Sequence, residues 1–183
     1  MTRPVGRVSV IAGLVVLALS SCTPSINMED PHMEYREAWT ELDNLLSAAQ
    51  NTIGGEWESL DSGARSCSLP LGAGAQAPLG RTGQGVPLER QESVADEIVA
   101  QWAAQDVTAS VGVQTVDGTD RVTVRYPPSN VDADGMYIEV RFNEHGTGLL
   151  GQTRCASGDY DQINKEDQKN SSSTPTSIST PAS

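Results

Sequence analysis

Between Val107 and Cys155 the chain alternates apolar and polar residues, and this period of two restricts the fold more than any other feature. Val107, Ala109, Val111 and Val113 are separated by polar residues or glycine. Val122, Val124 and Tyr126 alternate with Arg121, Thr123 and Arg125. Met136, Ile138, Val140 and Phe142 alternate with Tyr137, Glu139 and Arg141. Successive side chains of a strand point to opposite faces, so each run is a strand with one buried side. Asp117-Gly118 and Asn143 to Gly146 supply turns, and Thr147 to Cys155 reads as the last strand. These signals predict a four-stranded antiparallel meander with one buried face. Residues 56–70 lack strong periodicity but accommodate a short fifth strand ending near Cys67.

Two amphipathic helices are available to cover that face, which makes the expected class α+β with both helices on one side. Asp30-Pro31 has the pattern of an N-cap followed by proline at the first helical position. Tyr35, Ala38, Trp39, Leu42, Leu45, Leu46, Ala49 and Ile53 then recur at helical spacing, and Gly54-Gly55 ends the run. Trp39 lies on the apolar face and is expected in the core. Pro87 opens the second helix, whose stripe is Val94, Ala95, Ile98, Val99 and Trp102. Residues 72–85, rich in Gly, Ala and Gln, read as a flexible loop. Gly72 to Ala77 superficially fits a dinucleotide-binding pattern. Pro78 and Gly80 exclude the helix whose N-terminus would hold the pyrophosphate.

The N-terminus has three parts. Arg3 and Arg7 are a positive region, Val8 to Leu19 is nearly all apolar, and Ser20-Ser21 precede Cys22. The apolar run is shorter than the roughly 20 residues a spanning helix needs. Leu19-Ser20-Ser21-Cys22 resembles the lipobox of bacterial lipoprotein precursors. That resemblance implies residues 1–21 as a signal peptide, cleavage before Cys22, and a diacylglycerol on its thiol carrying acyl chains such as palmitate. Only a thiolate is nucleophilic enough to form that thioether. The other reading is an ordinary secretory signal with a chance cysteine. Residues 22–29 would be a tether, 30–156 a single α+β domain, and 157–183 a disordered tail rich in Ser, Thr and Pro.

The net charge is −12, and it becomes −14 once Arg3 and Arg7 are removed with the signal. So acidic a surface argues against nucleic acid and against electrostatic docking on anionic lipid. Aromatic residues make up 4% of the chain, so the core is expected to be aliphatic. With Cys22 lipidated, Cys67 and Cys155 remain, and an even remainder in an exported protein reads as a disulfide. Neither His32 nor His145 has metal-ligand spacing to a cysteine.

No catalytic constellation is evident. Asp132-Ala133-Asp134-Gly135 offers two close carboxylates as a weak calcium candidate. Counted from Asp132, however, Gly135 falls at position 4 and Asn143 at position 12, which is not an EF-hand loop. His145 has no nucleophile elbow to serve, and His32 sits beside the tether. The acidic pairs Glu29/Asp30, Glu56/Glu58 and Asp159/Asp161 read as solvated charge.

The lipobox, the Trp-containing helices, Arg65-Ser66-Cys67-Ser68, and Thr153-Arg154-Cys155 closing the last strand together resemble a known group. It is the small secreted, LppA-like lipoproteins of mycobacteria and related high-GC Gram-positive bacteria. The resemblance spans about residues 19–156 and implies a compartment and a disulfide but no mechanism. The expected function is a non-catalytic module, held at the membrane through the lipid on Cys22, that binds an envelope protein or small ligand without a cofactor. Two alternatives are an envelope hydrolase acting on glycan or peptide, and a lipid carrier with a cavity between helices and sheet.

Overall fold

The computed structural model describes residues 33–116, 118–129 and 131–173. Cys22, Asp30, Pro31 and His32 lie outside the described residues. The fold is α+β. In chain order its elements are α1 (Tyr35–Ile53), β1 (Trp57–Ser59), β2 (Arg65–Leu69), β3 (Gly72–Gln76), β4 (Pro78–Gly83), α2 (Gln91–Ala103), β5 (Ser110–Val116), β6 (Thr119–Tyr126), β7 (Tyr137–Phe142), β8 (Thr147–Gln152) and α3 (Tyr160–Ser173). A 3₁₀ turn, Leu88–Arg90, leads from Pro87 into α2. The expected meander is present as β5–β6–β7–β8. It is part of a larger six-stranded antiparallel sheet ordered β1-β4-β8-β7-β6-β5, and β2 and β3 form a separate hairpin.

The inner face of the sheet carries Val122 and Val124 of β6, Ile138, Val140 and Phe142 of β7, and Leu149 of β8, all buried. Leu42, Leu45 and Leu46 of α1 and Ile98 and Trp102 of α2 pack within the same core. The stripes read from the sequence are buried at Tyr35, Ala38, Leu42, Leu45, Leu46, Ala49 and Ile53 on α1 and at Val94, Ala95, Ile98 and Trp102 on α2, while Trp39 and Val99 are partly buried. The space between helices and sheet is filled by side chains less than 2% exposed, among them Trp102, Phe142, Leu42 and Met136. The apolar cavity that a lipid carrier needs is not seen there among the described residues.

Several expectations are corrected. The first helix starts at Tyr35, and Glu34, in extended conformation, is its N-cap. The segment before it is held straight by strand-like pairing with residue 157. The Tyr35 amide donates to the Ser157 carbonyl at 2.9 Å, and the Ser157 amide donates to the Met33 carbonyl at 2.8 Å. The stretch 72–85, expected as a loop, contains β3 and β4. β4 pairs with β8 over six residues, from Pro78↔Gln152 to Gly83↔Thr147. Its glycines permit close packing: a Cβ on Gly83 would lie 2.7 Å from the Trp57 ring, and one on Gly74 would lie 2.7 Å from the Ala156 carbonyl oxygen. Ladder pairing and packing outweigh the weak strand propensity of such a segment.

The segment after Ser157, expected as disordered, contains α3. Asp159, expected as mere solvated charge, caps it: one carboxylate oxygen accepts the amides of Asp161 at 2.9 Å and Gln162 at 3.1 Å. Ile163 anchors the helix in the core. Residues 174–183 lie outside the described residues. Val111 and Val113, expected on the buried face, are 48% and 63% exposed. Their strand, β5, is the edge of the sheet and, among the described residues, has a partner on one side alone. Glu139 departs from alternation in the other sense. It points to the outer face yet is buried between Arg141, at 2.6 Å, and Arg125, at 3.9 Å.

Candidate functional site

The first turns of α1 meet the loop 61–64, the start of β2 and α3 around a cleft of about 1070 Å³. Its walls include Tyr35, Arg36 and Trp39 from α1, Asp61 to Ala64 from the loop, Arg65 from β2, and Asn164, Asp167 and Ser171 from α3, with Leu79 of β4 among the lining side chains. Asn164 clamps α3 onto the loop. Its carbonyl oxygen accepts the Ala64 amide at 2.8 Å, and its amide donates to the Ala64 carbonyl at 3.0 Å. Gly63 makes this approach possible, because a Cβ there would lie 2.5 Å from the Asn164 side-chain oxygen. Across the opening Arg36 pairs with Asp167 at 2.5 Å. The Asp167 hydrogen bond holds the Arg36 guanidinium above its ordinary pKa. Both groups are exposed, and such a pair contributes about 0–1 kcal/mol. Burial raises the Tyr35 phenol.

Beneath the loop lies Arg81, which composition alone did not single out. It stands on β4 in the same cross-strand row as Leu149, Val140 and Val124. Its guanidinium is therefore on the apolar side of the sheet. It is compensated by Asp43 of α1 at 2.9 Å and by Asp61, which also accepts the Gly80 amide at 3.0 Å. A buried cation with one partner removed is costly, so this pair of carboxylates fixes where the loop sits against α1.

A second polar constellation lies on the other side of α1. Arg154 donates to both oxygens of Glu41, at 2.8 and 2.7 Å, and to Asp134. Such a fork is geometrically specific, and the Glu41 bond raises the Arg154 pKa. Tyr126 donates its hydroxyl to Asp132. These bonds occupy the two carboxylates offered above as a calcium candidate. Asp134 also accepts the Met136 amide at 3.0 Å, and Asp132 the Ala133 amide at 2.7 Å. Among the described residues no cluster of three metal-ligating side chains occurs. The pair acts as an anchor tying the β6–β7 connection to α1 and to the segment after β8.

The Tyr126–Asp132 bond has a pH signature. It pushes the Tyr126 phenol up to about 12, with burial adding to the effect, and holds Asp132 below its ordinary value. A tyrosine whose pKa rises on folding favours the folded state below its unfolded value of about 10, and that contribution is lost as the pH rises through about 12. The depressed Asp132 contributes above the unfolded Asp value and loses its share as the pH falls through its own lowered pKa. Ultraviolet titration should therefore show a phenolate component near pH 12 that disappears in Tyr126→Phe. A titration identical in the two proteins would refute the assignment.

The remaining singled-out residues are accounted for as follows. Cys67 and Cys155 are bonded, with Cα atoms 5.9 Å apart, joining β2 to the segment after β8. Trp39 is half-buried, packed against the core on one side and lining the cleft with the other. His145 is exposed on the β7–β8 turn, with Nε2 3.4 Å from Glu144. That turn is shaped by Asn143, whose side-chain oxygen accepts the amides of His145 and Gly146. Asn164, Arg81 and the Glu41–Arg154 pair had no signal in the sequence, because each is a lone polar residue whose partner is 20 to 113 positions away.

No protein-family model matches this chain, and no curated protein matches it. Among solved structures it is similar to a DUF4853 family protein from Actinomyces odontolyticus ATCC 17982. The TM-score is 0.52 at 17% identity, over 74% of this chain and 76% of that one. At that identity the likeness is one of fold.

Proposed function

We propose that this chain is a lipid-anchored lipoprotein on the extracytoplasmic side of a bacterial cell membrane, and that it works as a non-catalytic binding module. The observation that carries the reading is the cysteine distribution. The chain has three cysteines; Cys67 and Cys155 satisfy each other, and the third, Cys22, stands at the acceptor position of a lipobox. Disulfides persist in oxidising, exported compartments, which agrees with the signal-like N-terminus. Two acyl chains are about what stable anchoring takes.

The cleft between α1 and α3 is the surface we assign to binding. Its carboxylates Asp61 and Asp167 are each held by an arginine. Carboxylates engaged in this way are committed to holding the loop and α3 in place. The wall therefore suits recognition better than turnover.

Intact-mass analysis of the membrane-extracted protein tests the anchor. The expected species begins at Cys22 and carries a diacylglycerol adduct, and Cys22→Ala should abolish both cleavage at this point and membrane association. A mature N-terminus at any other residue, without lipid, would overturn the proposal. Hydrolysis of a glycan or ester by the purified chain, lost on His145→Ala, would overturn the non-catalytic part.

A further inference from the structure

The three tryptophans differ in one respect. Trp57 donates its indole N–H to the Gly54 carbonyl at 3.1 Å, and Trp102 donates to the Leu45 carbonyl at 3.0 Å. The Trp39 indole N–H has no hydrogen-bond partner among the described residues, although the ring packs against the core and lines the α1–α3 cleft. A tryptophan with one apolar side and one polar edge is the kind enriched at surfaces that bind a partner. The side chain of Arg65, on the rim of the same cleft, also has no ion pair or hydrogen bond among the described residues. The cleft thus offers an indole, two unused donors, and carboxylate, hydroxyl and amide groups around them.

We propose that the α1–α3 cleft is a carbohydrate-binding site for a neutral oligosaccharide, with Trp39 as the platform under a sugar ring and Arg65 as a donor at the rim. The proposal deepens the binding reading given above and rests on it. A pyranose ring matches the lining on both of its chemistries. Its C–H face packs on an indole, and its ring edge alternates donors with acceptors. Those acceptors meet Arg65 and, on the neighbouring sugar, the in-plane Trp39 N–H, and the hydroxyl donors meet Asp61 and the Ser62 hydroxyl. Asp61 and Asp167 on the wall are already paired with Arg81 and Arg36, so the lining presents no cluster of one sign for a charged ligand. A lipid tail would leave these polar walls unpaired. The volume of about 1070 Å³ lies just above the roughly 300–1,000 Å³ of small-molecule sites, which favours a chain of sugars over one ring.

The test uses the full chain purified in detergent, so that it does not depend on whether Cys22 carries lipid. Calorimetry and tryptophan fluorescence are run against a panel of neutral hexasaccharides: β-1,4-linked N-acetylglucosamine, β-1,4-linked glucose, β-1,4-linked mannose and α-1,4-linked glucose. At least one should bind and change the fluorescence. Trp39→Phe keeps most of the packing and removes the donor, so binding should weaken about tenfold, the equivalent of one hydrogen bond. Arg65→Ala, at an exposed position, should weaken it several-fold without changing the circular dichroism, and Trp57→Phe should leave affinity unchanged. Failure of every hexasaccharide to bind at millimolar concentration would overturn the inference, as would equal affinity in wild type and Trp39→Phe. Neither result touches the lipid mass that tests the anchor.

Discussion

Removal of the Cys67–Cys155 disulfide is expected to lower the unfolding free energy by about 4–5 kcal/mol on the chain-entropy relation. The bonded residues are 88 positions apart, so the bond closes most of the domain into one loop. The effect should also be local. The β2–β3 hairpin belongs to no larger sheet and is tied to the rest by a short bridge, in which Ala75 and Ala156 exchange amide–carbonyl bonds at 2.8 and 3.0 Å. Without the disulfide, amide exchange in this hairpin and in α3 should accelerate more than in β6 and β7, which lie inside the sheet. Urea denaturation of the Cys67→Ala/Cys155→Ala protein, compared with wild type, measures the global term. A midpoint that does not move would show that the unfolded chain is not constrained by the bond.

Trp102→Ala should cost about 3–5 kcal/mol, the usual range for truncating a buried aromatic residue. Trp102 is fully buried, and its indole bonds the Leu45 carbonyl, so it locks α2 against α1 as well as filling the space beneath them. Trp102→Phe retains most of the volume and should cost less, about 1–2 kcal/mol for the lost hydrogen bond and a smaller void. Trp39→Phe should cost less again, because that indole is half-buried and makes no internal hydrogen bond to lose. Thermal or chemical unfolding of the three variants gives the order directly. If Trp39→Phe proved the most destabilising, both the seam between α1 and α2 and the assignment of Trp39 to a ligand would be wrong.

How much of this was legible depends on the range of the interaction concerned. The apolar stripes of α1 and α2 and the alternation in β6 and β7 are local patterns, and their buried faces follow from the residue spacing alone. The Cys67–Cys155 bond was legible by arithmetic, because setting Cys22 aside as the proposed lipid acceptor leaves one pair. What composition misjudged were segments whose state is set by distant partners. Gly72 to Gly83 has poor strand propensity by itself and is strand because β8 offers a ladder and Trp57 and Ala156 need room. Residues 160–173 have little apolar content and are helix because Asp159 caps them, Ile163 is buried and Asn164 grips Ala64.

The sequence by itself determined the class of the fold, the two core helices, the order of the meander and the one disulfide available, because period, turn chemistry and cysteine count act over short range or by exclusion. Only the tertiary structure decided that the sheet has six strands, that Val111 and Val113 fall on an edge, that Asp132 and Asp134 serve a tyrosine and an arginine instead of a cation, and that Trp39 lines a cleft with its N–H unused. The reason is that each of these depends on a neighbour brought in by packing, and the identity of that neighbour is not encoded near the residue it governs.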